Sequence, residues 1–118
     1  MYSQILIPID GSPCSDAVIR EGLSLARTYD ATVTLLYAVE DPVVEIYGVP
    51  YGRQLYKDLL RAGEETLEHA FARAHAADIP AKTLLIDKEH PAEAILEAEK
   101  EADLTVMGTH GRRGVRRG

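Results

Sequence analysis

The sequence predicts an α/β fold in which a parallel β-sheet is flanked by helices. Four short apolar runs, rich in β-branched and aliphatic residues, are typical of strands that are covered on both faces. Three longer segments between them carry apolar residues at helical spacing. The resulting order, β-α-β-α-β-α-β with short connections, calls for right-handed crossovers and a parallel sheet.

The first strand and helix are marked by clear local signals. The run ILIPI at residues 5–9 is apolar and ends at the turn formers of residues 10–13. Ser12 is placed to cap the next helix, with Pro13 at its first position. This helix is expected to end near Asp30, and its apolar stripe comprises Cys14, Val18, Gly22, Leu25 and Tyr29.

The rest of the chain continues the alternation of strands and helices. We predict a strand at residues 32–39, a loop with apolar content at 40–53, a helix at 54–77, a strand at 81–86, a helix opened by His90 and Pro91, and a strand at 103–107. The apolar face assigned to the long helix includes Phe71. Part of the loop is expected to pack on the body of the protein or on a partner.

Two segments at the carboxyl edge of this sheet are candidates for ligand binding, because ligands of such folds bind beyond the strand ends where the strand order reverses. In the segment GTHGRRG, Gly108, Gly111 and Gly114 would let the backbone turn its N–H groups toward an anion. Anion binding and a plain flexible turn both stay open, since neither the P-loop nor the dinucleotide fingerprint occurs. The carboxylate of Asp10 could bond a ribose, help to hold a metal beside phosphates, or bond only its own turn.

The histidines and the cysteine are less informative. His110 is either a donor to a phosphate or a polar turn residue. His69 and His75 lie six residues apart, which is not the spacing of a metal-binding pair. Cys14 falls on the apolar stripe of the first helix and is expected in the core.

Composition predicts one cytoplasmic domain. The 118 residues are 46% hydrophobic and 27% charged and include one cysteine, with no apolar run near the ~20 residues of a membrane span. The N-terminus is not expected to be a signal peptide. Net charge is −6, yet four of the 13 basic residues lie in the last seven, so the body is acidic and disfavours nucleic acid. The basic end indicates a small anionic ligand or is only a solvated tail.

The sequence contains no recognisable catalytic motif. The motifs of serine hydrolases, zinc proteases and thioredoxins are absent. Asp87 ends the third strand, as in a phosphoacceptor receiver domain. That fold requires adjacent acidic residues after the first strand, whereas here Asp10 is followed by Gly11. An adenylyl-transferring or amidating enzyme is disfavoured because neither S-G-G-x-D-S nor H-I-G-H occurs.

Two motifs, ILIPIDGS and HPAEAILEAEKEADLTVMGTHGRRG, together with the strand order, resemble the universal stress protein family over essentially the whole chain. The resemblance implies a Rossmann-like (adenine nucleotide alpha hydrolase-like), three-layer α/β/α fold that is commonly homodimeric. One branch of the family binds ATP, with or without Mg²⁺ or Mn²⁺. We therefore expect a nucleotide-dependent regulatory or stress-protective module, in which any hydrolysis is slow because no base is placed to activate water.

The resemblance also implies roles for individual residues. Pro8, Ile9 and Asp10 would meet the adenosine part, with Asp10 as the ribose partner. Ala38 would offer its backbone to adenine. The residues expected to surround the ribose and phosphates are Met107, Gly108, His110, Gly111 and Arg112.

The C-terminal end departs from the family pattern. ATP-binding members carry G-x2-G-x9-G-Ser/Thr, of which Gly108 and Gly111 supply only the first half before Gly118. The expectation is a single domain over residues 1–118 that lacks the family's closing helix and fifth strand, with the natural protein continuing. The fourth strand would then have an exposed edge. The alternative function is a dimeric interaction module that binds no nucleotide and uses residues 43–56 as its contact surface.

Overall fold

The computed structural model describes residues 3–10, 13–39, 50–87, 91–109 and 112–117. Its elements in chain order are β1 (Gln4–Ile9), α1 (Pro13–Tyr29), β2 (Thr32–Val39), α2 (Pro50–Ala76), β3 (Ala81–Asp87), α3 (Pro91–Glu99), β4 (Leu104–Thr109) and β5 (Arg112–Arg117). Each helix begins at a proline, where the missing N–H is no loss because no helical carbonyl would accept from it. The first seven elements follow the predicted order.

The sheet has the strand order β3-β2-β1-β4-β5, so the first strand of the chain lies at its centre. β1, β2, β3 and β4 are parallel, and helices cover both faces. The predicted fold class is therefore confirmed. α1 and α2 lie on one face, where a Cβ at Gly22 would meet the side chain of Ile7, with Cγ1 at 2.8 Å. α3 lies on the other face, close to Leu6 and Leu84.

The main core lies between the sheet and the helices α1 and α2. Its strand residues alternate along β1 and β2, as expected when every second side chain points to the same face. The buried members are Ile5, Ile7, Ile9, Val33, Leu35, Leu104 and Val106 from the strands, Val18, Ile19, Leu23 and Ala26 from α1, and Leu67, Ala70 and Ala74 from α2. Cys14 was predicted to join them, but its side chain lies outside the described residues, as does Ser12.

The C-terminal segment differs from the predicted loop. β4 continues through Gly108 to Thr109, and β5 returns antiparallel beside it, with Gly114 opposite Met107. The expected exposed edge of the fourth strand is thus wrong, because β5 pairs with it. An antiparallel return needs only a short connection, and pairing satisfies backbone groups that the edge would otherwise leave open.

Two further details correct the sequence-based boundaries and faces. α2 begins at Pro50, four residues before the predicted start at residue 54. Phe71 was assigned to the apolar face of this helix, but it is 42% exposed. It lies at the border of that face, beside the edge strand β3, where no further strand covers it in the described part of the chain.

The amino-terminal ends of β1 and β4 are joined by the carboxylate of Asp103. Its Oδ2 accepts hydrogen bonds from the backbone N–H groups of Ser3 and Gln4, both at 2.9 Å, and from the Ser3 hydroxyl at 3.0 Å. The Asp103 N–H donates in turn to the Gln4 carbonyl at 2.8 Å. The two backbone donors, then the hydroxyl, lower the pKa of Asp103 because they favour its charged form.

Candidate functional site

The strand order reverses at β1, which has β2 on one side and β4 on the other. The chain moves outward from β1 through β2 to β3, and then crosses back to β4. In open parallel sheets this arrangement leaves a crevice at the carboxyl ends of the two strands where the order changes. The candidate site is the crevice between the ends of β1 and β4.

Pro8 accounts for the early end of the paired register between β1 and β4. The Gln4 carbonyl accepts from the Asp103 N–H, so the backbone groups of Gln4 are directed toward β4. Those of every second residue after it are directed the same way. Pro8 therefore faces β4 but has no N–H to donate. The register of β1 with β4 covers only Ile5↔Leu104 and Leu6↔Thr105, whereas its register with β2 continues to Ile9.

Asp10 follows the end of β1, and its carboxylate is held by the first turn of α1. The Ser15 hydroxyl donates to Asp10 Oδ1 at 2.8 Å and accepts from the Asp10 N–H at 3.1 Å. Ser15 is buried, while Asp10 is exposed at the crevice. The carboxylate is thus oriented by the first turn of α1, in a residue that is exposed at the end of β1.

Tyr37 ties the end of β2 to the same turn. Its hydroxyl donates to the Asp10 carbonyl at 3.4 Å. The ring is supported by α2, because a Cβ at Gly63 would lie 2.9 Å from Tyr37 Cδ1. Glycine at position 63 therefore lets α2 approach closely enough to fix the tyrosine.

Ala38 presents its backbone toward the crevice side of β2. The Thr32 N–H donates to the Ser3 carbonyl, so the backbone groups of Thr32 and of every second residue after it are directed toward β1. Ala38 belongs to that set, and it lies one residue beyond the last β1 pair, Ile9↔Tyr37. By this alternation its carbonyl is directed to the β1 side, beyond the last paired residue of β1.

The predicted site residues divide into those that the structure brings to the crevice and those outside the described residues. Pro8, Ile9, Asp10 and Ala38 lie at the ends of β1 and β2, and Met107 is half-buried in β4. Gly108 pairs with Arg113, and Arg112 pairs with Thr109, so both lie in strands rather than in a loop. The structure does not describe His110 and Gly111.

Sequence reasoning missed Ser15 and Tyr37. Ser15 is the third residue of α1, two positions after Pro13, from which a hydroxyl can reach back to the turn before the helix. Tyr37 precedes Ala38 at the end of an apolar strand, which gave no indication that its hydroxyl crosses to β1. Only the register of β2 on β1 shows this contact.

Two other kinds of site do not occur among the described residues. No three His, Cys, Asp or Glu side chains in those segments are close enough together to hold a metal ion. None of the helices there is long and apolar enough to cross a membrane.

Comparisons with known proteins agree with the fold. Residues 1–118 match the model of the universal stress protein family. The universal stress protein MJ0531 of Methanocaldococcus jannaschii is 33% identical over 122 residues, covering 99% of this chain and 70% of that protein. The crystal structure of a family member from Burkholderia pseudomallei aligns with a TM-score of 0.82 at 29% identity, over 92% of this chain and 83% of that one.

Two more distant structures share the fold and contain adenine nucleotides. An Arabidopsis thaliana family protein with AMP bound has a TM-score of 0.69 at 16% identity, over 91% of this chain and 76% of that one. A universal stress protein in complex with cAMP has a TM-score of 0.57 at 22% identity, over 88% and 70%. At such identities the likeness is one of fold. The match to the family model over all 118 residues carries the assignment: this chain belongs to the universal stress protein family.

Proposed function

We propose that the protein is an ATP-binding regulatory or stress-protective module whose nucleotide occupies the crevice between β1 and β4. The observation that carries the proposal is the carboxylate of the exposed residue Asp10, oriented by Ser15 just beyond the point where the β1–β4 register ends. A carboxylate held in this way is prepared to accept hydrogen bonds from vicinal hydroxyls. A ribose supplies such a pair.

The rest of the nucleotide follows from the position of the ribose. With the sugar at Asp10, adenine would extend toward Ala38, whose carbonyl can accept from the exocyclic amino group. The phosphates would extend toward Met107, Gly108 and the segment after β4. Four arginines occur among residues 112–117, so this part of an otherwise acidic chain favours an anion.

The nucleotides in related structures support the adenine part of the proposal. AMP and cAMP are found in two proteins of this fold. ATP is proposed over AMP because Arg112 and Arg113 pair with Thr109 and Gly108 at the carboxyl end of β4, where they could balance a larger negative charge. Mg²⁺ or Mn²⁺ would enter with the phosphates, since the described side chains supply no cluster of ligands of their own.

The proposed role is binding rather than turnover. Asp10 is engaged by Ser15 and would be engaged by the ribose, so it is not free to activate water. We infer that the module acts in the cytoplasm as a homodimer, as is common in the family. A change in nucleotide state would then be read by a partner.

Calorimetric titration of the purified protein with ATP and Mg²⁺, and separately with AMP, tests the proposal. Asp10→Ala should weaken ATP by about 1.5–3 kcal/mol, the usual size of a hydrogen bond to a charged group. Asp87→Ala is the matched control, because Asp87 is also an exposed aspartate at the carboxyl edge but lies at the end of β3. The affinity of Asp87→Ala for ATP should stay within twofold of that of the unmodified protein. Equal affinity of both variants for ATP would remove Asp10 from the site.

One observation favours the second candidate function, a dimeric interaction module that binds no nucleotide. Gly108 and Gly114 lie in paired strands, so part of the expected phosphate loop is already engaged in backbone hydrogen bonding. If the unmodified protein shows no heat of binding with ATP or AMP at millimolar concentration, this second function takes precedence.

A further inference from the structure

The outer edge of β3 is a second surface with binding capacity, remote from the crevice. β3 pairs with β2 over seven residues and is the terminal strand of the sheet. Val33 donates to the Pro80 carbonyl at 2.9 Å, so Pro80 and every second residue after it face β2. Ala81, Thr83 and Leu85 consequently direct their N–H and C=O groups outward. No strand in the described part of the chain pairs with them.

This edge has few of the features that usually prevent strand addition. Edge strands are commonly short, interrupted by proline, bulged or rich in charge. β3 is seven residues long, contains no proline, and carries charges only at Lys82 and Asp87. Its central residues, Thr83 to Leu85, are uncharged.

An apolar groove runs beside the edge on the face covered by α2. It has a volume of about 490 Å³ and is lined by Leu67 and Phe71 of α2 and by Thr83 and Leu85 of β3. Phe71 is 42% exposed, which is unusual for the only phenylalanine of the chain. A side chain from an added strand would cover it.

The charges of this groove have one sign. Glu64 and Glu68, one helical turn apart on α2, complete its lining, and none of the described residues that line it is basic. Both glutamates are exposed. A cationic side chain next to an apolar one would therefore be favoured over an anionic one.

The opposite face of β3 offers a different surface. Leu84 is 39% exposed there, beside a cavity of about 250 Å³ that also contacts Ala98 near the end of α3 and Ala102 beyond it. Lys82 and Glu101 give this cavity both signs of charge. Successive residues of an added strand would meet the acidic groove and this mixed, partly apolar cavity in turn.

We propose that β3 binds an extended, basic segment of a partner protein by strand addition. The backbone of that segment pairs with Ala81, Thr83 and Leu85. On the α2 side it places an apolar residue on Phe71, flanked by lysine or arginine beside Glu64 and Glu68. On the α3 side it places apolar residues against Leu84. Main-chain pairing supplies affinity in this mode, and the alternating side chains supply selectivity.

The test uses a fluorescein-labelled peptide, Arg-Val-Leu-Val-Arg-Val, and fluorescence polarisation with the full chain. Thr83→Pro removes an outward N–H without touching the ladder to β2, and Thr83→Ala is its matched control because it changes only the side chain. We expect binding to fall at least tenfold in Thr83→Pro and less than twofold in Thr83→Ala. Equal binding by the two variants would overturn strand addition.

A modified peptide keeps the test decisive if Thr83→Pro does not fold. N-methylation of alternate peptide residues should abolish binding when it blocks the set that faces β3, and should leave binding intact when it blocks the other set. If N-methylation of neither set abolishes binding, or if N-methylation of each set does, the proposal is contradicted.

The charge part is tested separately. Glu64→Gln with Glu68→Gln should weaken the peptide and reduce the salt dependence of its binding, and Glu-Val-Leu-Val-Glu-Val should bind at least tenfold more weakly to the unmodified protein. Equal affinity for both peptides would exclude a basic partner. Self-association that Thr83→Pro abolishes, without peptide binding, would assign the edge to a second copy of the chain instead. Titration of ATP into Thr83→Pro separates the two sites: the variant should bind ATP as the unmodified protein does, even though it has lost the peptide.

Discussion

The two ends of the β1–β4 pair are built in opposite ways. At the amino-terminal end, the Asp103 carboxylate accepts three hydrogen bonds from Ser3 and Gln4, and its own N–H continues the ladder. At the carboxyl end, Pro8 has no donor to offer and the register stops after Leu6↔Thr105. The same two strands are thus tied by side-chain hydrogen bonds at one end, and their paired register ends early at the other.

The amino-terminal end of the pair therefore contributes to stability, and the carboxyl end, a few residues away, is the proposed place of ligand recognition. A crevice needs unpaired backbone and accessible polar groups, both of which weaken a sheet. The Asp103 contacts hold the strands in register at the far end, so the crevice can stay open without loss of the pairing. Substitutions at the two ends should therefore affect different measurements.

The largest expected effect is on stability, from Asp103→Ala. The variant leaves the N–H groups of Ser3 and Gln4 without their acceptor, and the melting temperature at pH 7 should fall clearly while ATP affinity is retained. Because the pKa of Asp103 is lowered in the folded state, its contribution is complete above the ordinary value of 3.8 and is lost as the pH falls through the folded value.

Thermal unfolding at several pH values checks this assignment. The difference in melting temperature between the unmodified protein and Asp103→Ala should be constant near neutrality and shrink below about pH 3.8. A difference that persists unchanged in strong acid would mean that the carboxylate charge is not responsible.

A moderate effect on binding is expected from Pro8→Ala. The new N–H faces β4 and can continue the ladder, so nucleotide entry would have to break a hydrogen bond. ATP affinity should fall about two- to tenfold, which corresponds to the net worth of such a bond. Hydrogen exchange should show a protected amide at position 8. If that amide exchanges freely, the separation of the strands has another cause.

The smallest effect is expected at the last paired position, Thr105. Its hydroxyl is fully buried, and Oγ1 has no hydrogen-bond partner in the described part of the structure. Thr105→Val keeps the shape and removes the unsatisfied group, so the protein should gain about 1 kcal/mol in chemical denaturation. Thr105→Ser retains the hydroxyl and should give no gain. If Thr105→Ser is stabilised as well, the unsatisfied hydroxyl is not the cause of the gain.

The sequence predicts what depends on local pattern. The strand at 32–39, the start of α1 at Pro13 and the start of α3 at Pro91 agree with the structure because apolar periodicity and proline act within a few residues. The placement of Asp10 at the sheet edge was predictable for the same reason.

Other features depend on residues that are distant in sequence. Ser3 and Asp103 are 100 positions apart, so nothing near either one reveals their contact. Tyr37 reaches Asp10 only because β2 pairs with β1 in one register. The pairing of β5 was missed because glycines at every third position indicated a loop, whereas the open edge of β4 provided a partner.

The central position of β1 has a consequence for synthesis of the chain. β4 follows β1 by about 100 residues, which is roughly 5–20 s of translation, while β2 follows directly after α1. During that interval the side of β1 that will face β4 is an open edge on the nascent chain, where another unfinished copy could attach. A proline on such an edge withholds a donor and hinders misassembly. Pro8 is therefore expected to protect the growing polypeptide from aggregation before it shapes a site in the finished one.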